Sequence, residues 1–391
     1  MCTSINKPAA TLQQVMALCQ EPAKHPHVQR VMTQLKKCRT AVNGYHLYQC
    51  KHDGCGHLQY QYHSCHNRHC PQCGALKKEE WVEARLRELL PVKYYHVVFT
   101  LPHELNSIIM GNRKALFKLL FDASAQTLLS FANDKKYLGA RPGIISVLHT
   151  WGQQLSFHPH IHCIVSGGGI ATTNTDMYWK EAVKNDWRFL FPVKAMNKVF
   201  RGKYLEGLKS LLAKQLVTSA PQADTASLIK QLYTKDWNVY AKAPFGGPQQ
   251  VIEYLGRYTH KVAISNHRIQ SVNKELGTVT FGYKDYADNG IQKQMTLEAR
   301  EFIRRFEQHI LPQGFTKIRS YGYISNRGRN QRIADVLHYL KLPAHPPAVK
   351  IPWQLRLLEK YGIKHDECPH CKNRTLQLVL VHYHTKNADD G

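Results

Sequence analysis

Ser156-Phe157-His158-Pro159-His160-Ile161-His162-Cys163-Ile164-Val165 is a short apolar run with three histidines at alternate positions. Its second half is rich in Ile and Val and stops at Gly167-Gly168-Gly169, which predicts a buried strand ended by a glycine turn. A strand repeats its facing every two residues, so His158, His160 and His162 share one side. At about 3.3 Å of rise per residue, His160 and His162 stand roughly 6.6 Å apart and can grip one ion, whereas His158 and His162 are about 13 Å apart. The alternative is three ordinary core histidines among the 23 in the chain. Each buried imidazole needs partners for both nitrogens, and a shared cation meets that need for two at once, so metal is the preferred reading. A third ligand must come from elsewhere.

Upstream of this strand, Tyr94 to Thr100 and Ile144 to Leu148 read as further strands and 104–133 as helix. Downstream, helical pattern runs from 190 to 235 with a loop at Pro221. The turn cluster Pro244-Phe245-Gly246-Gly247-Pro248 then introduces a helix over 249–261, where Tyr254 and Tyr258 sit on successive turns. With Val262 to Ile264 and Gly277 to Tyr283 also β-rich, the expected class is α+β, built on one central, largely antiparallel sheet flanked by helices. That domain is expected over 92–325, after an N-terminal segment 1–91 and before a C-terminal segment 326–391.

The N-terminal segment starts with two short helices over 11–39 and ends in a helix over 75–90. Between them lie Cys50-x4-Cys55 and Cys65-x4-Cys70-x2-Cys73, with Cys38 and several histidines close by. Four thiolates saturate a tetrahedral zinc and leave no open position, so Cys50, Cys55, Cys70 and Cys73 are the expected structural site. Cys38, His46, Cys65 and His69 are left for a possible second. Beyond the linker Pro343 to Pro347, Cys368 and Cys371 with His382 and His384 suggest a short zinc-ribbon-like segment of its own.

Lys and Arg number 53 against 28 Asp and Glu, a formal net charge of +25. A basic surface kept only for solubility rarely needs such an excess; a partner carrying phosphates does, and nucleic acid is the expected one. Arg300, Arg304, Arg305, Lys317, Arg319, Arg327, Arg329 and Arg332, with Tyr321 and Tyr323 among them, read either as a surface that tracks a single strand or as a solvated face. No apolar run is long enough for a membrane span and no secretion leader is visible, so an intracellular protein is expected, in which eleven cysteines suit metal better than disulfides.

Ser64-Cys65-His66-Asn67-Arg68-His69-Cys70-Pro71-Gln72-Cys73, then Trp151-Gly152-Gln153 through His158-Pro159-His160-Ile161-His162, then Tyr254-Leu255-Gly256-Arg257-Tyr258, resemble in order the zinc, metal and tyrosine motifs of one family. These are the two-tyrosine rolling-circle insertion-sequence transposases of the HUH endonuclease superfamily, the IS91 family. The resemblance implies an HUH-type sheet and a catalytic Mg²⁺ or Mn²⁺ on His160 and His162. It implies Gln153 as third ligand, with Gln154 and His158 as substitutes. Tyr254 and Tyr258 would be nucleophiles that nick single-stranded DNA and store the bond as a 5′-phosphotyrosine. Arg257, Lys261, Arg300, Arg304, Arg327 and Arg329 are the expected phosphate contacts. Hairpin ends of its own element and target DNA would be the substrates, in the bacterial cytoplasm at the nucleoid. Lacking a G-x4-G-K-[ST] loop, the chain would depend on host helicase and replication proteins. The rivals are a replication initiator or relaxase with the same chemistry, and a zinc-finger DNA-binding regulator in which the tyrosines only pack.

Overall fold

The computed structural model describes residues 8–383, apart from 20, 24, 175, 183–189, 219–223, 243–249, 252–253, 255, 257–261 and 346–350. Twelve strands are described, numbered here in chain order. Two compact units divide the chain, one of Met1–Lys77, Ile264–Ile310 and Pro346–Gly391, the other of Lys78–Ala263 and Leu311–His345. Each unit is assembled from separated stretches, so each of the expected segments 1–91, 92–325 and 326–391 has residues in both.

The second unit holds the six-stranded antiparallel sheet. Its strands are β3 (Tyr94–Thr100), β4 (Arg141–Trp151), β5 (Phe157–Thr172), β6 (Met177–Glu181), β7 (Asn238–Lys242) and β11 (Ile318–Gly322). Their order is β11-β4-β5-β3-β7, with β6 also on β5. Alternation along the strands sends Val97, Phe99, Ile144, Leu148, Ile161, Cys163 and Val165 to one face, a core they share with buried residues of the helices Arg113–Asn133 and Val193–Ala213. Leu116, Phe117, Leu120, Phe121, Phe200 and Leu208 are fully buried there, each worth about 2 kcal/mol of transfer free energy. The opposite face carries Ile145, Val147 and Ile164, packed in a cluster with Leu90, Val251, Tyr323 and Val336.

The first unit contains two smaller antiparallel sheets. One is β12-β1-β2, from Leu376–His382, Tyr45–Cys50 and Leu58–Tyr62; the other is β10-β9-β8, from Ile291–Glu298, Thr278–Asp285 and Ile269–Asn273. Of Gly277 to Tyr283, expected in the central sheet, Thr278 to Tyr283 lie instead in β9 of this separate one. Its outlet for apolar surface is the helix Ala299–Glu307, where Phe302 meets Phe281 at 5.5 Å between ring centres. The N-terminal helix Leu12–Ala17 joins the same unit, its first amide donating to Asn266 Oδ1 at 3.0 Å. Val262 to Ile264, expected as strand, is irregular, and Ala263 and Ile264 are buried as single anchors.

Candidate functional site: a histidine cluster and two cysteine clusters

The register of the large sheet assembles the histidines. His160 lies opposite Thr100 of β3 and His149 of β4, and His162 lies opposite Val98 and Val147. Residues that face each other across strands point to the same side, so His149 joins His160 and His162. One ligand nitrogen from each falls within 4.8 Å of the others. The ring centres are 4.6 Å apart for His149 and His162, 4.9 Å for His160 and His162, and 5.4 Å for His149 and His160. His149 follows Ile145 and Val147 in regular alternation on this face, and the register of β4 shifts only after it, between His149 and Trp151. His160 Nδ1 is 2.7 Å from the carbonyl oxygen of His158, which favours the tautomer whose Nε2 lone pair can bind an ion.

Tyr254 completes the group. Its hydroxyl is 2.6 Å from His96 Nε2 and 3.1 Å from His162 Nδ1, and His96 Nε2 is itself 2.9 Å from His162 Nδ1. His96 comes from β3 on the same face. Burial, aided by the positive charges of Lys242 and His160, pushes its pKa down to about 3, so the imidazole next to the phenol is neutral. The helix bearing Tyr254 is held to this face by buried Val251, and a Cβ on Gly256 would stand 3.3 Å from Val82.

Of the expected ligands, His160 and His162 are brought together. His158 lies exposed at the start of β5, and Gln153 and Gln154 sit in the β4–β5 turn. The third imidazole, His149, is not among the expected ligands, and neither is His96. The signal for His149 is that it continues the predicted strand Ile144 to Leu148 by one residue; nothing local marks His96. Tyr258, Arg257 and Lys261 lie outside the described residues.

The cysteines sort into two sets, and neither is one of those expected. Cys38, Cys65, Cys70 and Cys73 form one, and Cys50, Cys55, Cys368 and Cys371 the other. The β1–β2 hairpin explains the partition. Cys38 and Cys65 flank its open end, where His63 N–H bonds to Gly44 and Arg39 N–H to His63, whereas Cys50 and Cys55 lie at its turn. A strand of that length carries the two ends about 17 Å apart, too far for Cys50 and Cys70 to share an ion. Four thiols complete the first set without His46 or His69. His382 is also excluded from the other: it faces Tyr45 at the far end of β12, and His384 lies outside the described residues. A tetrahedral zinc with bonds of about 2.3 Å sets sulfurs about 3.8 Å apart. In the first set Cys73 Sγ stands 3.2 Å from Cys38 Sγ and 3.7 Å from Cys65 Sγ, which fits.

The family described as transposase zinc-binding domain matches residues 11–101, and that described as putative transposase matches residues 143–332. A putative transposase of Sinorhizobium fredii is 41% identical over 362 residues, covering 90% of this chain and 89% of its own. The chain belongs to the IS91 family of transposases. The transposase for insertion sequence element IS801 of Pseudomonas savastanoi pv. phaseolicola is 29% identical over 323 residues, covering 82% of this chain and 76% of its own. No solved structure matches. The zinc-binding match contains all of the first cysteine set but only Cys50 and Cys55 of the second.

The cations of this transposase divide between the units. Arg300 and Arg304 are on the Ala299–Glu307 helix of the first, Arg300 ion-paired with Glu21 at 2.9 Å and Arg304 with Glu301 at 2.6 Å. In the second, Arg327 is exposed, but Arg329 is turned onto Glu88 at 3.0 Å and the Ile324 carbonyl at 2.9 Å, which makes it a brace of the fold. Tyr323, exposed on either of the two readings of the cationic stretch, is instead 1% exposed and packs on Trp179; Tyr321 sits against the helix-covered core. A strand end buried on both sides claims aromatics that sequence alone would leave for bases. No described helix is long and apolar enough to cross a membrane.

Proposed function

We propose that this transposase nicks single-stranded ends of its own element through tyrosine nucleophiles, holds the 5′ end as a phosphotyrosine and passes it to target DNA in rolling-circle-type transposition. The observation that carries this reading is the Tyr254 hydroxyl, 3.1 Å from His162 in a cluster of three imidazoles on one sheet face. A divalent ion held by His149, His160 and His162 would polarise the scissile phosphate. The donor set suits Mn²⁺ better than Mg²⁺, which prefers an all-oxygen shell, and the side-chain oxygen of Gln153 would add a hard donor.

Tyr254 supplies the attacking oxygen. A bond forms from the phenolic oxygen to phosphorus, the bond from phosphorus to the 3′ oxygen breaks, and the phenol's proton is lost as the leaving strand gains a 3′ hydroxyl. One phosphoester replaces another, so rejoining needs no external energy source. His96 aims the phenol by accepting its hydrogen bond. Tyr258, four residues on in the sequence, is the second nucleophile, able to cleave while Tyr254 holds the first end. Arg257, Lys261, Arg300, Arg304 and Arg327 supply phosphate contacts, and host helicase and replication proteins supply single strands.

The test is a denaturing gel of protein with labelled single-stranded element ends. Tyr254→Phe is expected to reduce the covalent adduct sharply, and Tyr254→Phe with Tyr258→Phe to abolish it. A packing role predicts near silence, because Phe keeps the ring. An undiminished covalent band in the double variant would pass the nucleophile's role to another tyrosine.

A further inference from the structure

Cys50, Cys55, Cys368 and Cys371 come from opposite ends of the chain, yet one sulfur from each lies within 4.8 Å of the others. Cys50 Sγ is 3.6 Å from Cys371 Sγ, and Cys55 Sγ is 3.9 Å from Cys368 Sγ. These separations are far beyond a disulfide and match the edge of a zinc tetrahedron, about 3.8 Å. Cys50 and Cys368 are buried, Cys55 and Cys371 half-buried, as a closed structural site requires. We propose that these four thiolates bind a second structural zinc, which staples the last described strand to the N-terminal hairpin.

The backbone is arranged for it. β12 runs antiparallel to β1 with Leu376 opposite Cys50, and Lys51 N–H bonds to the Thr375 carbonyl at 2.9 Å, so the two Cys loops leave the strand pair side by side. Within Cys368-Pro369-His370-Cys371 the chain folds back through Cys368 N–H to the Asn373 carbonyl at 2.8 Å and Lys372 N–H to the Cys368 carbonyl at 2.9 Å. Arg374 ion-pairs with Asp366 at 3.0 Å across the same loop. Thr375 Oγ1, 3.2 Å from Cys50 Sγ, and His370 Nδ1, 3.7 Å from Cys55 Sγ, are placed to donate to the thiolates and hold them toward the ion. The three-stranded sheet has little else to stabilise it: Leu58, Tyr60, Leu378 and Leu380 are about half exposed. Binding displaces the thiol protons and couples zinc affinity to the folding of this sheet. The N-terminal module is therefore complete only once Cys371 has joined it.

The experiment counts zinc per chain by native mass spectrometry on the full-length protein and follows hydrogen exchange of β1 and β12. The wild type is expected to carry two zinc ions on its cysteines, in addition to any held by the histidine cluster. Cys368→Ser with Cys371→Ser should carry one fewer than the wild type and should lose amide protection at Tyr45–Cys50 and Leu376–His382, with β4 and β5 unchanged as the check that the second unit still folds. Cys371→His, which keeps a tetrahedral donor set, and Cys19→Ser, which removes a thiol outside both sets, should each retain the wild-type number. A double Ser variant that holds as many zinc ions as the wild type overturns the proposal. So does zinc loss without loss of protection in either strand.

Discussion

His149 shows how much a single residue can depend on register. It is buried at the end of a strand whose other inward residues are aliphatic, and only the cross-strand pairing with His160 makes it a ligand candidate. His149→Ala is expected to weaken Mn²⁺ binding by at least about tenfold, roughly 1.4 kcal/mol, in isothermal titration, with the fold intact. Affinity equal to the wild type would leave the ion to His160, His162 and an oxygen donor. A second residue is constrained by backbone alone. Gly322 has φ of +71°, and a Cβ there would lie 1.6 Å from the Pro142 carbonyl oxygen of β4. Neither strain can be relieved without parting β11 from β4, so Gly322→Ala should cost about 3 kcal/mol or more and lower Tm by roughly 10 °C. A thermal melt within about 2 °C of wild type would mean that the strand end is looser than described.

Among the elements, strands are more legible in the sequence than their partners. Tyr94 to Thr100 and the histidine strand stand out because an unbroken apolar or strictly alternating run of that length suits a pleated backbone and little else. The helices over 104–133 and 190–235 are legible from apolar spacing, though each stretch holds more than one helix. Which strand lies beside which is not legible. β3 runs between β5 and β7, strands that begin 63 and 144 residues after it, and no local pattern names such neighbours. The same limit governs the cysteines. Spacing alone joins Cys50 and Cys55 to Cys70 and Cys73, but a hairpin with rigid sides separates them and the loop leading into β12 supplies the missing pair.

For the whole molecule the dominant physical fact is a net charge of +25. Binding that neutralises about six phosphates of a single strand has a log–log salt slope near −4, so affinity for single-stranded DNA should fall by about two to three orders of magnitude between 50 and 200 mM salt. Fluorescence anisotropy over that range checks it, and a flat response would move recognition from phosphates to bases. His149→Ala should keep the wild-type slope, since its effect is on the ion and not on the cationic surface.

From its residues alone, this chain is readable as a basic α+β protein with a strand bearing paired histidines, a helix bearing Tyr254 and clustered zinc-type cysteines. Those features are written in composition and in periods of two or three to four residues, which steric and solvation preferences impose within a dozen positions. Tertiary structure alone decided that His149 is the third imidazole, that His96 meets Tyr254, that Tyr323 is core, and that Cys368 and Cys371 close on Cys50 and Cys55. Each of these depends on pairing across tens to hundreds of residues, where the choice of partner follows from which faces must leave water together, a property of the assembled sheet that no window of the sequence contains.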